Sequence, residues 1–229
     1  VRRPAPRVSA AMTGSPDRIS TGRIARRSLA GVAVLTLAGC ASLFVATPPG
    51  HLYRLTAGRS YPADLPRLRG VLVVDTPQAS AGIDTARIAL SRSPVSLDYY
   101  ADAEWTDRVP ALVQGAMLAS FENSGAITAI DRDAMELKAD FTLQSEIRHF
   151  EADYQAGDAP PQVRVAIVAR LVAASQRKII AQTALERRQP SAANNVPDVV
   201  AAFNAAAGAV ITDIVLWTVS ELALTSARR

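Results

Sequence analysis

Cysteine and histidine are scarce in this 229-residue chain, and each of these two shortages excludes a class of functional site. Aromatic residues are scarce as well. Cys40 is the only cysteine, so the chain cannot form an internal disulfide. The two histidines, His51 and His149, have no cysteine or further histidine at zinc-ligand spacing. The sequence also lacks a Gly-x-Ser-x-Gly elbow and a glycine-rich phosphate loop. We therefore expect no metal, no cofactor and no enzymatic activity.

The positive net charge of +4 is confined to the N-terminal segment. Residues 1–39 hold seven of the 25 basic residues and one of the 21 acidic residues. From Cys40 onward, 18 basic residues therefore face 20 acidic residues, a net charge of −2. Because the basic excess does not belong to the main part of the chain, we exclude nucleic acid as a partner.

The segment around Cys40 has the layout of a bacterial lipoprotein signal. Arg26 and Arg27 precede an uncharged run that ends in Leu37, Ala38, Gly39 and Cys40. This run is shorter than the roughly 20 apolar residues that a membrane-spanning helix needs. We predict that residues 1–39 form a signal peptide, with residues 1–11 upstream of its true start, and that Leu37, Ala38 and Gly39 are its lipobox. Cys40 then becomes the lipidated N-terminus, carrying acyl chains such as palmitate.

The residues that follow Cys40 predict a tether and one folded domain. Residues 40–50 are small and proline-containing, which is typical of a lipid-anchored spacer, and residues 51–226 are long enough for a single domain. Ala41 follows the cysteine where aspartate would favour retention in the inner membrane. We therefore expect a periplasm-facing protein anchored in the outer rather than the inner membrane; Sec and twin-arginine export both stay open.

Hydrophobic periodicity predicts an α+β fold of the α/β sandwich-like kind. One mixed, largely antiparallel sheet is packed by a central helix and a long C-terminal helix. The helices are predicted at 106–123, with Thr106 or Asp107 as the cap, and from Asn195 to about Leu224. A turn is expected at 91–94 and a bulge near His149. The strands are predicted at 51–56, 70–75, 86–90, 95–100, 126–130, 141–154, 162–174 and 178–187.

Two groups of residues are candidates for chemistry. Acidic residues interleave with aromatic residues in one stretch, which is typical of a sugar cleft or of a solvated loop whose aromatics pack on the sheet edge. We favour the solvated loop, and we expect His149 to be a surface residue on a strand. The stretch contains Asp98, Asp102, Glu104 and Asp107 among Tyr99, Tyr100 and Trp105.

Several short segments occur in a characteristic order after the lipobox. They are Tyr53-Arg54-Leu55, Val73-Val74-Asp75-Thr76-Pro77, Ile83-Asp84-Thr85-Ala86-Arg87-Ile88, the stretch LDYYADAEWTDRVP at 97–110, Phe150-Glu151, residues 163–171, and Phe203 with Trp217. In this order the chain resembles the auxiliary lipoprotein of ABC-type transport systems that is found with Mce-type lipid transporters. The resemblance covers nearly the whole chain after Cys40.

That resemblance implies a periplasm-facing lipoprotein with no enzymatic role. It implies as partners an ABC permease, an ATPase and an Mce-domain protein, which together move lipids or other hydrophobic molecules across the cell envelope. Within this hypothesis Tyr99, Tyr100 and Trp105 are candidate partner or lipid contacts. The transported substrate and a homo-oligomeric state are left open.

Two alternatives to an accessory role in protein–protein contact follow from the same residues. The first is a lipid-binding or carrier module, which requires an apolar cavity between the C-terminal helix and the sheet. The second alternative is a cell-envelope hydrolase that uses His149 or the acidic cluster, and it ranks well behind the other two hypotheses.

Overall fold

In the described part of the chain, nine strands form one mixed sheet and two helices pack against it. The computed structural model describes residues 50–58, 60–132, 139–154 and 160–227. The predicted α+β fold, with a long C-terminal helix, is confirmed. The strands are β1 (His51–Tyr53), β2 (Leu68–Val74), β3 (Gln78–Ala79), β4 (Arg87–Ser93), β5 (Ser96–Trp105), β6 (Ile127–Asp131), β7 (Phe141–Asp153), β8 (Gln162–Ala173) and β9 (Lys178–Pro190); the helices are α1 (Val109–Ser124) and α2 (Val196–Ala227).

Strand β7 is the centre of the sheet. One of its edges pairs with β8 over its whole length, and β8 pairs in turn with β9. Its other edge is shared by β2, β3 and β4, which pair with its start, middle and end respectively. Strand β7 therefore connects two small groups of strands. In one group β6 pairs with β2, and in the other β5 pairs with β4 and β1 pairs with β5.

The direction of the strands is more mixed than periodicity alone indicates. The antiparallel pairings are β4–β5, β7–β8 and β8–β9, and the last two are the longest in the sheet. The other pairings between described strands are parallel, including β2–β7 and β1–β5. Neighbouring parallel strands must be joined by crossover connections. The alternation of polar and apolar residues within one strand does not show which strands are joined in this way.

The β4–β5 hairpin differs from the predicted four-residue turn. Ser93 pairs with Ser96, so only Pro94 and Val95 form the turn, and residues 91–93 continue the strand. Strand β5 also runs on to Trp105 and contains an irregular stretch in which Asp102 has a φ of 54°. The short strand β3 was not predicted, since two residues after a proline carry no periodic signal.

The ends of α1 and α2 are stabilised in different ways. The predicted caps of α1, Thr106 and Asp107, were wrong: its N-cap is Arg108, which makes no capping bond through its side chain. Instead, the Val109 N–H donates to the Thr85 carbonyl at 3.1 Å. For α2 the predicted start is confirmed, because the Asn195 side chain accepts the Asp198 N–H at 3.0 Å.

Helix α2 is long and apolar enough to span a bilayer, yet it is a core helix here. Phe203, Val210 and Ile214 are fully buried between the helix and the rest of the domain. The Phe203 ring stacks on Phe150 at 5.0 Å and meets Trp105 edge-on at 5.3 Å. This aromatic cluster joins α2, β7 and the end of β5.

The connection between β1 and β2 crosses both helices and is held to them by polar side chains. The Asn204 side chain on α2 accepts the Thr56 N–H at 2.8 Å and donates to the Arg54 carbonyl at 3.2 Å. On α1, the Ser120 hydroxyl accepts the Gly58 N–H at 3.0 Å. A Cβ at Gly58 would lie 2.8 Å from Thr212 Oγ1, so this crossing favours glycine.

We expect Asn204→Ala to destabilise the domain by about 1–3 kcal/mol, because the backbone at 54–56 loses its partners on α2. Urea unfolding of the purified protein measures the change. Ala205→Ser alters the exposed neighbouring residue and is the matched control, with an expected effect within about 0.5 kcal/mol. Equal stability of the two variants would contradict the role assigned to Asn204.

Candidate functional site

The predicted lipidation site lies outside the described residues. This applies to Cys40 and to the lipobox residues Leu37, Ala38 and Gly39, and the predicted signal peptide and tether are outside them as far as residue 49. These assignments stay predictions. The described chain begins with Gly50, immediately before β1.

Trp105 is a core residue, which removes it from the candidate surface contacts. Its side chain is 1% exposed and packs against Phe150 and Phe203. Its indole N–H has no hydrogen-bond partner among the described residues. The sequence reasoning missed this because Trp105 stands among acidic residues, whereas the end of β5 turns its ring into the core.

Tyr99 and Tyr100 are half-buried and lie on opposite faces of β5. The Arg87 guanidinium stacks 3.6 Å from the centre of the Tyr99 ring, and the Tyr99 hydroxyl donates to the Gly82 carbonyl at 2.9 Å. The hydroxyls of Tyr100 and Tyr154 are hydrogen-bonded at 2.8 Å. Burial, reinforced by this bond, raises the pKa of Tyr100 well above its ordinary value. Tyr100 is therefore a structural anchor, whereas the Tyr99 ring is covered on one face by the Arg87 guanidinium.

The acidic cluster does not form a built site. Asp98, Asp102 and Asp107 are exposed and Glu104 is half-buried, spread along β5 and the start of α1. The acidic side chains are solvent-accessible, as the solvated interpretation predicts, but the predicted loop was wrong, because Ser96–Trp105 forms strand β5 and Trp105 packs in the core. Among the described residues, no three His, Cys, Asp or Glu side chains converge in a way that could hold a metal ion.

A surface cleft of about 480 Å³ lies beside the β4–β5 hairpin. Pro94, Val95 and Leu97 of the hairpin and Ile83 of the preceding loop give it an apolar wall. Strands β7, β8 and β9 give it a charged floor. The floor residues are Arg148, His149, Glu151, Asp153, Arg164 and Arg188.

His149 lies in this cleft because β7 has a bulge. The register of β7 and β8 shifts between Ile147 and His149, which confirms the predicted irregularity. The His149 Nδ1 and Glu151 Oε1 are 2.7 Å apart, and the Phe150 N–H donates to Glu151 Oε2 at 2.7 Å. Two partners thus hold the Glu151 carboxylate, which is 8% exposed. His149 is a cleft residue rather than a residue of an open strand surface.

A carboxylate-oriented imidazole is one part of a hydrolytic site, and the described residues do not supply the next part. Within them, no hydrogen bond joins His149 to a serine hydroxyl. Four serines line the cleft, namely Ser80, Ser91, Ser93 and Ser96, and the last two bond to each other, with 2.9 Å between their hydroxyl oxygens. Nucleophilic catalysis requires a hydroxyl within reach of the base, so this geometry does not favour the hydrolase alternative.

A cluster of ionic contacts forms the far side of the cleft floor. Arg164 binds both carboxylate oxygens of Glu186, at 2.9 and 3.1 Å, and Arg188 binds one of them at 2.9 Å. Hydrogen bonding to Arg164, with help from Arg188, lowers the pKa of Glu186. One carboxylate is therefore shared by two guanidinium groups.

Side chains fill the middle of the interface between α2 and the sheet. Ile214 on α2 and Leu143 and Leu171 on the sheet are fully buried. Near the end of α2, an apolar gap between Leu72, Phe141 and Leu222 has a volume of only about 10 Å³. Such a gap is no larger than the space a single water requires. The described core therefore has no room for an acyl chain at these positions.

The sequence profile of the ABC-type transport auxiliary lipoprotein component family matches residues 53–215. The chain belongs to that family. The match begins in β1 and ends in α2, so it includes the sheet, the cleft and both helices. The family description, an auxiliary lipoprotein component of ABC-type transport, indicates a lipoprotein that faces the periplasm.

The chain is also similar to two other proteins. A solved structure of a Xanthomonas campestris protein from a family of unknown function superposes with a TM-score of 0.72 at 28% identity, covering 77% of this chain and 98% of the other. An uncharacterised Bradyrhizobium diazoefficiens protein is 31% identical over 158 residues, which is 66% of this chain. That match covers 40% of the Bradyrhizobium protein, so the chain corresponds to less than half of its length.

The Glu186 cluster predicts a specific dependence of stability on pH. Because the pKa of Glu186 is lower in the folded state, its contribution is present above the ordinary carboxyl pKa and is lost as the pH falls through the folded value. We expect Glu186→Gln to destabilise the domain slightly at pH 7 and progressively less in acid. The effect is small since Glu186 is 39% exposed.

Urea unfolding of both proteins from pH 7 down to pH 3 measures this difference. Glu122→Gln, which removes an exposed glutamate on α1, is the control and should show no such trend. If the free energies of unfolding of the parent protein and of Glu186→Gln differ by the same amount from pH 7 to pH 3, the lowered pKa assigned to Glu186 is refuted.

Proposed function

We propose that this protein is a non-enzymatic accessory lipoprotein of an Mce-associated ABC transport system for lipids or other hydrophobic molecules. It acts by holding the system's Mce-domain protein, permease or ATPase through protein–protein contact. The observation that carries the proposal is the family match over residues 53–215, joined to a lipobox that ends at Cys40. The close packing of the core supports docking over carriage, because the spaces of about 430 and 360 Å³ between the end of α2 and the sheet are open surface clefts rather than enclosed cavities.

Tyr99 is the residue we assign to partner contact. Its ring and the Arg87 guanidinium form a stack at 3.6 Å, and Arg87 is exposed. Tyrosine and arginine are the residue types that dominate the energy of protein interfaces. Tyr100 acts behind it by fixing the strand through Tyr154.

Capture of partners tests the accessory role directly. The full lipidated protein, extracted from its native membrane in mild detergent, is expected to carry the Mce-domain protein, the permease or the ATPase, identified by mass spectrometry. Tyr99→Ala should reduce this capture severalfold, and Lys178→Ala, at the opposite end of the sheet, is the control. Intact lipidated protein that captures no envelope transport component would count decisively against the proposal.

The anchor is tested separately by substitution of Cys40. We expect Cys40→Ala to abolish incorporation of an alkyne-labelled fatty acid and to leave a protein that is unprocessed or released from the membrane. Ser42→Ala, two residues further on, should be labelled and processed normally. A Cys40→Ala protein that is still processed and firmly bound would show that the anchor lies elsewhere.

The outer membrane is the proposed location, on the basis of Ala41 after the lipidated cysteine. We expect Ala41→Asp to move the protein into the inner-membrane fraction of a sucrose gradient. An unchanged distribution would remove the sorting argument and leave the rest of the proposal intact.

A further inference from the structure

Strand β9 has one edge that no described strand covers. Its inner edge pairs with β8 from Lys178 to Pro190, and the strands that the structure describes include none on its outer side. This part of the sheet therefore ends in an open edge of 13 residues. Such an edge presents unpaired N–H and C=O groups to other chains, and proteins usually block it with proline, bulges or short strands.

Two features limit the open edge to the middle of β9. The register with β8 shifts at Ile180, which forms a bulge. At the other end, Pro190 has no N–H to donate. Between them, residues 181–189 pair regularly with β8 and contain neither proline nor glycine. Residues 181–189, named here the β9 edge segment, are therefore the part that can accept another strand.

One backbone bond shows which groups of this segment face outward. In an antiparallel ladder each residue directs its N–H and its C=O to the same side, and successive residues alternate. Just beyond the strand, the Ser191 N–H bonds to the directly opposite Pro161 carbonyl at 2.9 Å, so the odd-numbered residues bond to β8. The N–H and C=O groups of the even-numbered residues therefore point outward. These residues are Gln182, Ala184, Glu186 and Arg188.

The outward groups have few partners within the chain. The Arg187 side chain donates from Nη1 to the Glu186 carbonyl at 3.0 Å. A carbonyl oxygen has two lone pairs, so it can accept an N–H from another strand as well. Among the described residues, no side chain accepts the outward N–H of Gln182, Ala184 or Arg188. The segment can therefore bond to an added strand without losing a bond that it already makes.

The charges of the β9 edge segment favour a second copy of the same chain as that strand. The segment carries one anion, Glu186, and two cations, Arg187 and Arg188. Within the chain, Arg187 pairs with Asp213, and Glu186 pairs with Arg164 and Arg188. A strongly acidic or strongly basic partner strand would therefore meet both signs of charge. A strand of mixed charge fits, and the segment itself is such a strand.

Opposing charges exclude most registers of a pair of copies. Two copies related by a two-fold axis pair antiparallel, with even-numbered residues opposite even-numbered ones, and like charges directly opposite are destabilising. An axis at Glu186, Arg187 or Arg188 places that residue opposite its own copy. An axis at Thr183 places Arg188 opposite Lys178 of the second copy.

An axis at Leu185 uses the whole β9 edge segment. It places residue 181 opposite residue 189, and it leaves the bulge outside the new ladder. Gln182 then lies opposite Arg188, and Ala184 lies opposite Glu186. An axis at Ala184 would instead draw the bulge opposite Arg188. Regular pairing and charge therefore agree on the arrangement with Leu185 at its centre.

From these observations we infer that two copies of this chain pair antiparallel through the β9 edge segment, about an axis at Leu185. The two sheets become one continuous sheet, and the outward N–H and C=O groups gain backbone partners. A standard interface has roughly 20–30 residues on each side, many more than residues 181–189 supply, so the dimer is weak in dilute solution. Copies held on one membrane meet at a higher effective concentration, which favours the pair.

Disulfide cross-linking of the full-length protein in its native membrane tests this register. At the axis, Leu185 faces its own copy in a pair that is not hydrogen-bonded, with Cα atoms about 4.5 Å apart and within disulfide range. We expect Leu185→Cys to form a 185–185 disulfide under mild oxidation. Because the tryptic peptide 179–187 contains this position, mass spectrometry separates the disulfide from any that involves Cys40, the only natural cysteine.

Two other positions in the same tryptic peptide are matched controls. Ala184 and its own copy have Cα atoms about 9 Å apart in this register, beyond the roughly 7 Å that a disulfide can bridge. Ile179 is 51% exposed, and it and its own copy lie on opposite sides of the axis, about 40 Å apart. We expect neither Ala184→Cys nor Ile179→Cys to cross-link.

A proline at position 184 tests the role of the backbone. Because the Ala184 N–H points outward, Ala184→Pro removes no bond to β8, and proline is tolerated on edge strands. In the Leu185→Cys protein, Ala184→Pro should reduce the 185–185 disulfide severalfold and leave the urea midpoint of unfolding unchanged. A clearly lowered midpoint would show that the Ala184 N–H bonds to β8, which would overturn the inference.

Two further results would overturn the pairing. If positions 179 and 184 cross-link as readily as position 185, the disulfides report random collisions. If position 185 stays reduced in folded protein, the copies do not pair at this edge. Loss of captured transport components from Ala184→Pro would, in that second case, assign the edge to a strand of a partner protein. Both results leave the family assignment and the proposed anchor untouched, so they are distinguishable from failure of the proposed function.

Discussion

Backbone pairing along β7 is the constraint on which the other features depend. The strand bonds to β8 on one edge and to β2, β3 and β4 in succession on the other, so both parts of the sheet are aligned by one segment of chain. Its buried side chains, including Leu143, Ile147 and Phe150, also meet the helices. Strands as short as β3 have few ladder bonds of their own and depend on such a partner.

The bulge in β7 links this pairing to the cleft. Before the bulge, buried residues alternate regularly with more exposed ones; after it, Phe150 points into the core and Glu151 lies on the cleft floor. The same register places Arg164 opposite Glu151 and Arg188 opposite Arg164. A local change of one residue in the β7 ladder therefore places Glu151 opposite Arg164, beside the ionic cluster that Arg164 forms with Glu186 and Arg188.

Close packing and charge pairing characterise the described part of the domain. Its interior is filled by the packing of α2 on the sheet, and its charged groups are paired across strands on an open face. Its two ends differ, because the β4–β5 hairpin lies at one end of the sheet and the β8–β9 turn at the opposite end.

Local signals in the sequence were sufficient to predict the helices, strands and caps whose formation depends on residues close together along the chain. The helix over α2, with its Asn195 start, the long β7–β8 hairpin and the irregularity near His149 all follow from periodicity and capping within a few residues. The order of motifs from Tyr53 to Trp217 carried the resemblance to the family, and the match over 53–215 agrees with it. Cys40 and the lipobox were likewise identified from the sequence, and they lie outside the residues that the structure describes.

By itself, then, the sequence determined the class of fold, the family and the predicted anchor. Tertiary structure alone decided that Trp105 is a core residue, that β2 and β4 lie parallel to β7, and that Arg164, Arg188 and Glu186 meet beside His149. The physical reason is the distance along the chain between the partners. Periodicity reports which side of a strand is buried, whereas pairing between segments tens of residues apart is selected only when the whole sheet and its helices pack together.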